Sequence, residues 1–188
     1  MAVRIEKTFE VKHPIEAVWA MLSDPRKVVS CVPGAQITET IDDRNFKGSI
    51  RVKVGPSLTE FKGEVHIERL DEQAHEIELS GKGQDIRGKG GASMTMTGTL
   101  TALDDGGARV HAVSEITVVG ILAQFGARMM NDVSDVIFKE FTTRFQNLLD
   151  HPGEAQAPAE PVSGVKLAGS VIGHSIRRVL GGDDEESK

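Results

Sequence analysis

ARVHAVSEITVVG (Ala108–Gly120) runs without a break into ILAQFGARMMNDVSDVIFKEFTTRFQNLL (Ile121–Leu149), and the hydrophobic period changes at the join. Up to Gly120, Val110, Ala112, Ile116 and Val118 follow the two-residue repeat of a half-buried strand. Beyond it, Leu122, Phe125, Met129, Val133, Val136, Ile137, Phe141, Phe145 and Leu148 recur at three- and four-residue steps. The spacing predicts a strand followed by one long helix over 121–149. A helix with a single apolar stripe of that length needs a broad apolar surface to lie against.

The segments upstream supply that surface. In FKGSIRVKV, Phe46, Gly48, Ile50, Val52 and Val54 share one face, and Lys47, Ser49, Arg51 and Lys53 share the other. Gly55-Pro56 turns the chain into TEFKGEVHIERL, whose inward set is Phe61, Gly63, Val65 and Ile67. Its outward set, Glu60, Lys62, Glu64, His66 and Glu68, is mostly acidic and faces the basic side of the strand before it. That pattern predicts a solvated cross-strand charge ladder rather than an active site. HEIELSG and GASMTMTGTLTAL continue the sheet, the latter with Met94, Met96, Gly98, Leu100 and Ala102 opposed to Thr95, Thr97, Thr99 and Thr101. Asp104–Gly107 makes a hairpin turn into the strand first quoted.

At the front, Val3–Val11 reads as a strand, and Ile15, Val18, Trp19 and Leu22 follow Pro14 at helical spacing. Asp24 caps a second short helix with Pro25 at its first position, and Pro33-Gly34 ends it. Five or six strands follow these helices. The predicted architecture is α+β and of helix-grip type: a curved antiparallel sheet around one long C-terminal helix, with two short helices after the first strand. The chain divides into a domain over 1–150, a Pro/Ala/Glu linker over 151–164 and an amphipathic tail with an acidic end over 165–188.

Composition excludes several functions. The 188 residues carry a net charge of −6 and scarce aromatic residues, which argues against a nucleic-acid partner. A single cysteine forms no internal disulfide, and MAVRIEKTFEV has no apolar leader core, so a cytoplasmic protein is expected. The histidines His13, His66, His75, His111, His151 and His174 show no metal-ligand spacing, so no metal site is expected. GKGQDIRGKGG lies between two strands and lacks a Walker ending, so its glycines are read as allowing bulges, curvature or close backbone approach. Cys31 has no base partner in the sequence; a small buried packing role where the helices hand over to the sheet is expected.

Two features remain open between bland and functional readings. Met94, Met96, Met129 and Met130 fall where sheet and helix should face each other, and they are either core or the wall of a plastic apolar cavity. From these positions the candidate ligand-binding set is Phe61, Val65, Met94, Met96, Leu100, Phe125, Met129 and Val133. In the tail, a helical VKLAGSVIGHSIRRVL would align Val165, Ala168, Val171, Ile172, Ile176 and Val179, with Lys166, Arg177 and Arg178 on its flanks. Such a segment is too short to span a bilayer, which takes roughly 20 residues. It is read as a membrane-surface or partner-docking element, against the alternative of a disordered tail. Gly164, Gly169 and Gly173 lower its helix propensity, so it is expected to fold only on a surface or a partner, and the acidic DDEESK counts against the membrane reading.

The run PIEAVWAMLSDPRKVVSCVPGA, followed by VKVGPSLTEFKGEV, GKGQDIRGKGGAS and VVGILAQFGARMMNDVSD, resembles the CoxG-like family of carbon monoxide dehydrogenase subunits, over roughly residues 2–150. That family lies in the START/polyketide-cyclase-like (SRPBCC) helix-grip superfamily. The resemblance implies a non-catalytic accessory protein with no catalytic residues of its own. It implies partnership with a molybdenum-containing dehydrogenase of the carbon monoxide dehydrogenase type and recruitment of that enzyme to the inner face of the cytoplasmic membrane. It also implies an apolar cavity for a quinone or lipid, with no tightly bound cofactor, and places Cys31-Val32-Pro33-Gly34 at the cavity entrance. Rival expectations are an adaptor or assembly factor without a ligand, and a cyclase or hydrolase of the same fold using Asp85 and Arg87.

Overall fold

The computed structural model describes residues 1–54 and 57–153, and of Val54, Ser57, Leu122 and Phe125 it describes the backbone. The expectations for the linker beyond Gly153 and for the tail lie outside the described residues. The elements run β1 (Ala2–Val11), α1 (Ile15–Leu22), α2 (Pro25–Cys31), β2 (Ala35–Thr40), β3 (Asn45–Val54), β4 (Ser57–Asp71), β5 (Glu76–Asp85), β6 (Gly90–Ala102) and β7 (Ala108–Gly120). A 3-10 turn over Ile121–Phe125 then leads to α3 (Gly126–Asp150). All neighbouring strands are antiparallel, in the order β1-β7-β6-β5-β4-β3-β2. This is the α+β helix-grip architecture expected from the sequence.

Local chemistry explains the helix boundaries. The Asp24 carboxylate accepts the Arg26 backbone N–H at 3.0 Å, and Pro25 occupies the first turn of α2, where its missing N–H costs nothing. The long helix begins later than its apolar period suggested, at Gly126 instead of Ile121. Gly120 and Gly126 have φ of 82° and 77°, and the segment between them winds as a 3-10 turn before the α-helix starts.

The concave face is packed at its two ends. At one end α1, α2 and the last turns of α3 close over β1, β5, β6 and β7, burying Val18, Trp19, Cys31, Leu100, Val110 and Phe145, among others. Phe9 sits edge-on to Phe138, Phe141 and Phe145, with centroids 5.7–6.1 Å apart. At the other end Phe61 and Val118 are buried against Ile50, Val52, Ala92, Ile116, Met129, Met130 and Val133.

A transverse row of small residues crosses the sheet into the second of these ends: Gly48 pairs with Gly63, Gly63 with Gly83, Gly83 with Ala92 and Ala92 with Val118. A Cβ on Gly63 would stand 2.0 Å from the Lys82 carbonyl oxygen, and one on Gly48 would stand 2.7 Å from that of Gln36. The strands approach too closely there for any side chain, which is how so long a sheet bends around α3.

Candidate functional site

The expected ligand-binding residues fall into three groups. Phe61, Met129 and Val133 meet in the cluster under the first turns of α3. Leu100 belongs to the cluster under α1 and α2, and the side chain of Phe125 lies outside what is described. Val65, Met94 and Met96 belong to neither cluster. Strand register puts them on the helix-facing side, because Met94 lies opposite Ile116, Met96 opposite Leu79, and Gly81 between Val65 and Met94. Both methionines are half-buried, and Val65 remains 38% exposed although it points to the concave side. Gly81 has no side chain to fill the row. The middle of the concave face is thus an apolar strip with less cover than the packing at either end.

The opposite side of the same strands carries a separate, polar feature. A depression of about 570 Å3 crosses β3 to β7, and no residue of α3 lines it. One wall is the register row Asn45, His66, Ser80, Thr95 and Glu115, and the other is Glu64, Lys82, Ser93 and Thr117. Its floor is the row Phe46, Val65, Gly81 and Met94, of which Phe46, Val65 and Met94 point their side chains to the other face.

A hydrogen-bonded chain stiffens the rim of this trough. Backbone N–H of Arg44, with the Asn45 side chain, holds the Asp42 carboxyl below its usual range. Because a carboxylate only accepts, Asn45 Nδ2 donates to Asp42, leaving Oδ1 to accept from His66 Nδ1 at 2.7 Å. His66 Nε2 then looks toward Glu68 at 3.7 Å, and Ser80 Oγ donates to Glu68 at 2.6 Å.

The charge ladder expected between β3 and β4 extends further than those two strands. Arg51 meets Glu60 at 3.3 Å as read from the sequence, but Lys47 turns to Glu39 on β2 at 2.9 Å, and Glu64 meets Lys82 on β5 at 3.7 Å. The trough itself carried no signal in any single strand; it exists only once five strands are in register. Recurrent Ser and Thr at outward positions of β6 were its nearest trace.

Of the groups weighed for chemistry in the sequence, Asp85 and Cys31 are buried and held by local hydrogen bonds. Asp85, 7% exposed, faces inward opposite Phe61, and its carboxylate accepts the Arg87 backbone N–H at 3.2 Å, closing the β5–β6 turn. Arg87 is exposed on that turn. Cys31 is fully buried and donates weakly to the Lys27 carbonyl at 3.7 Å. Burial pushes its thiol above the usual 9.0, against smaller opposing effects of Ser30 and Arg144. Among the described residues no three His, Cys, Asp or Glu side chains gather where they could hold a metal ion.

An antiparallel sheet gripping a terminal helix, with apolar side chains half-covered between them, is the construction of the START/polyketide-cyclase-like proteins. The chain belongs to the CoxG family of carbon monoxide dehydrogenase subunits, whose model matches residues 8–149. Among solved structures it is similar to a conserved protein from Geobacillus kaustophilus, with 20% identity, a TM-score of 0.71, and coverage of 79% of this chain and 95% of that one. It is also similar to the Zhui aromatase/cyclase from Streptomyces sp. R1128, at 14% identity and TM-score 0.59 over 82% of this chain and 98% of that one. A third is Ara h 8.0201, at 15% identity and TM-score 0.55 over 80% and 99% of the two chains. At these identities the likeness is one of fold. No curated protein matches the sequence.

Proposed function

We propose that this chain is a non-catalytic accessory subunit for a molybdenum-containing dehydrogenase of the carbon monoxide dehydrogenase type, and that it holds a hydrophobic small molecule, a quinone or lipid, between the sheet and α3. Family membership supports the partner class. The observation that carries the ligand is the strip Val65, Met94 and Met96, apolar and incompletely covered beneath the helix. Apolar surface left open inside a fold is what a greasy ligand would cover, and methionine can adjust to its shape. The tail, through Lys166, Val171, Ile172, Ile176, Arg177, Arg178 and Val179, would hold the complex on the inner face of the cytoplasmic membrane.

The test is organic extraction and mass spectrometry of full-length protein from its native host. A stoichiometric quinone or lipid is expected, and Met94→Glu/Met96→Glu should lose it while still binding the dehydrogenase. No extractable ligand, together with no rise in melting temperature on adding quinones, would remove the ligand from this reading.

A second reading is an adaptor without a ligand, docking its partner through the outer sheet face. The trough favours it, because it offers a partner side chains of both charges on a rigid floor. Glu64→Ala/Lys82→Ala would then weaken dehydrogenase binding, and the methionine pair would not.

A further inference from the structure

Four of the exposed large apolar side chains gather at one end of the sheet. Leu58, Ile86, Val119 and Ile121 are 50%, 52%, 55% and 47% exposed. Backbone hydrogen bonds join the strand ends that carry them: Ile86 N–H donates to the Glu60 carbonyl on β4, two positions from Leu58, and Ile121 N–H donates to the Lys89 carbonyl on the β5–β6 hairpin. Gly91, next along β6, pairs with Val119. The four therefore form one rim along the ends of β4, β5, β6 and β7, directly before α3.

Cations are interspersed with them. Arg87 and Lys89 sit on the same hairpin and Arg128 in the first turn of α3, all exposed. Among the described residues none of the three lies within ion-pair distance of a carboxylate. The acidic groups of the adjoining strands are engaged elsewhere, Glu60 with Arg51 and Asp85 inside the hairpin. An apolar rim exposed to water marks an interaction surface. One carrying uncompensated positive charge suits an apolar medium behind a layer of negative charge.

We propose that this rim is a membrane-contact surface of the domain itself: Leu58, Ile86, Val119 and Ile121 enter the headgroup region of an anionic bilayer, and Arg87, Lys89 and Arg128 meet its phosphates. The proposal extends the membrane part of the reading above to a surface distinct from the tail, and it stands whether or not a ligand is held. The rim lies at the end of the sheet that carries the Phe61, Val118 and Met129 cluster. Docking there would set that end of the concave face against the lipid.

The experiment is co-sedimentation of the full chain with phosphatidylcholine vesicles, with and without phosphatidylglycerol. Wild type should pellet with the anionic vesicles and less at high salt. Ile86→Asp/Val119→Asp should lose most of the bound fraction, and Arg87→Gln/Lys89→Gln should weaken binding by about fivefold per cation removed. Both losses should persist when Arg177→Glu/Arg178→Glu disables the tail, with melting temperatures unchanged. Rim variants that pellet like wild type would overturn the proposal, as would binding indifferent to phosphatidylglycerol. If the rim variants instead lost the dehydrogenase and not the vesicles, the rim would be a protein interface and the proposal would also fall. Extraction of a quinone is read independently, so failure of the ligand reading and failure of the rim are separable.

Discussion

Cys31 ends α2 with its sulfur closed off from solvent in the cluster that also holds Val18, Trp19 and Phe145. Its thiol ionises near 9.0 in the unfolded chain and only at higher pH in the fold, because burial disfavours the thiolate. The stability this difference supplies is therefore whole below pH 9.0 and is lost as pH rises through the folded value. Melting temperatures of wild type and Cys31→Ala compared from about pH 8 to about pH 10 should show a steeper alkaline decline in wild type. Parallel curves would disprove it. The native thiol should also resist aromatic disulfide reagents until the protein is unfolded. The packing role of Cys31 was legible in the sequence, since nothing nearby could activate it. The Pro-Gly after it releases the chain from helix to sheet, with Gly34 at φ 76°.

At the scale of the element, the row Gly48, Gly63 and Gly83 lets the strands come together where the sheet bends. Gly63→Ala puts a methyl 2.0 Å from the Lys82 oxygen and 2.6 Å from the Gly83 Cα, both backbone atoms that cannot swing aside. Such overpacking should cost about 1–3 kcal/mol. Gly88→Ala, at φ 69° in open space on the hairpin, meets only backbone strain of about 1–2 kcal/mol. Thermal unfolding should show Gly63→Ala as the worse of the two, and equal melting temperatures would refute the role given to the row. Strands and helices with strong periods were readable: β3, β6, β7 and both short helices follow from alternation and from Asp24-Pro25. β2 was less so, because as an edge strand it half-buries only Ala35 and Ile37. The start of α3 was misplaced because an apolar stripe cannot reveal a left-handed glycine. Phe138 escaped the stripe altogether, yet it packs edge-on against Phe9. Of the candidate site, the helix-facing positions of Met94 and Met96 could be read from alternation. The trough and the rim could not, since both are made by register between strands.

At the scale of the molecule, the two ends of the concave face differ in cohesion. Ten buried side chains form the cluster at the α1–α2 end, whereas among the described residues two, Phe61 and Val118, form that at the other. Amides of β4, β5 and β6 close to the rim should therefore exchange faster than those beside Ile77, Leu100 and Val110, and bound ligand should slow them. Uniform exchange along these strands would contradict that division. The sheet has a further consequence, for the birth of the protein. β1, made before every other strand of the sheet, has one strand partner, and that partner is β7: Ala2 lies opposite Thr117 and Val11 opposite Ala108. Loop-closure entropy delays a contact between such distant stretches until most of what separates them has folded. On the ribosome the first strand must wait, edge exposed, for nearly the whole sheet to be synthesised. Closure of the fold is consequently a late event, set by translation as much as by the chain's own folding speed.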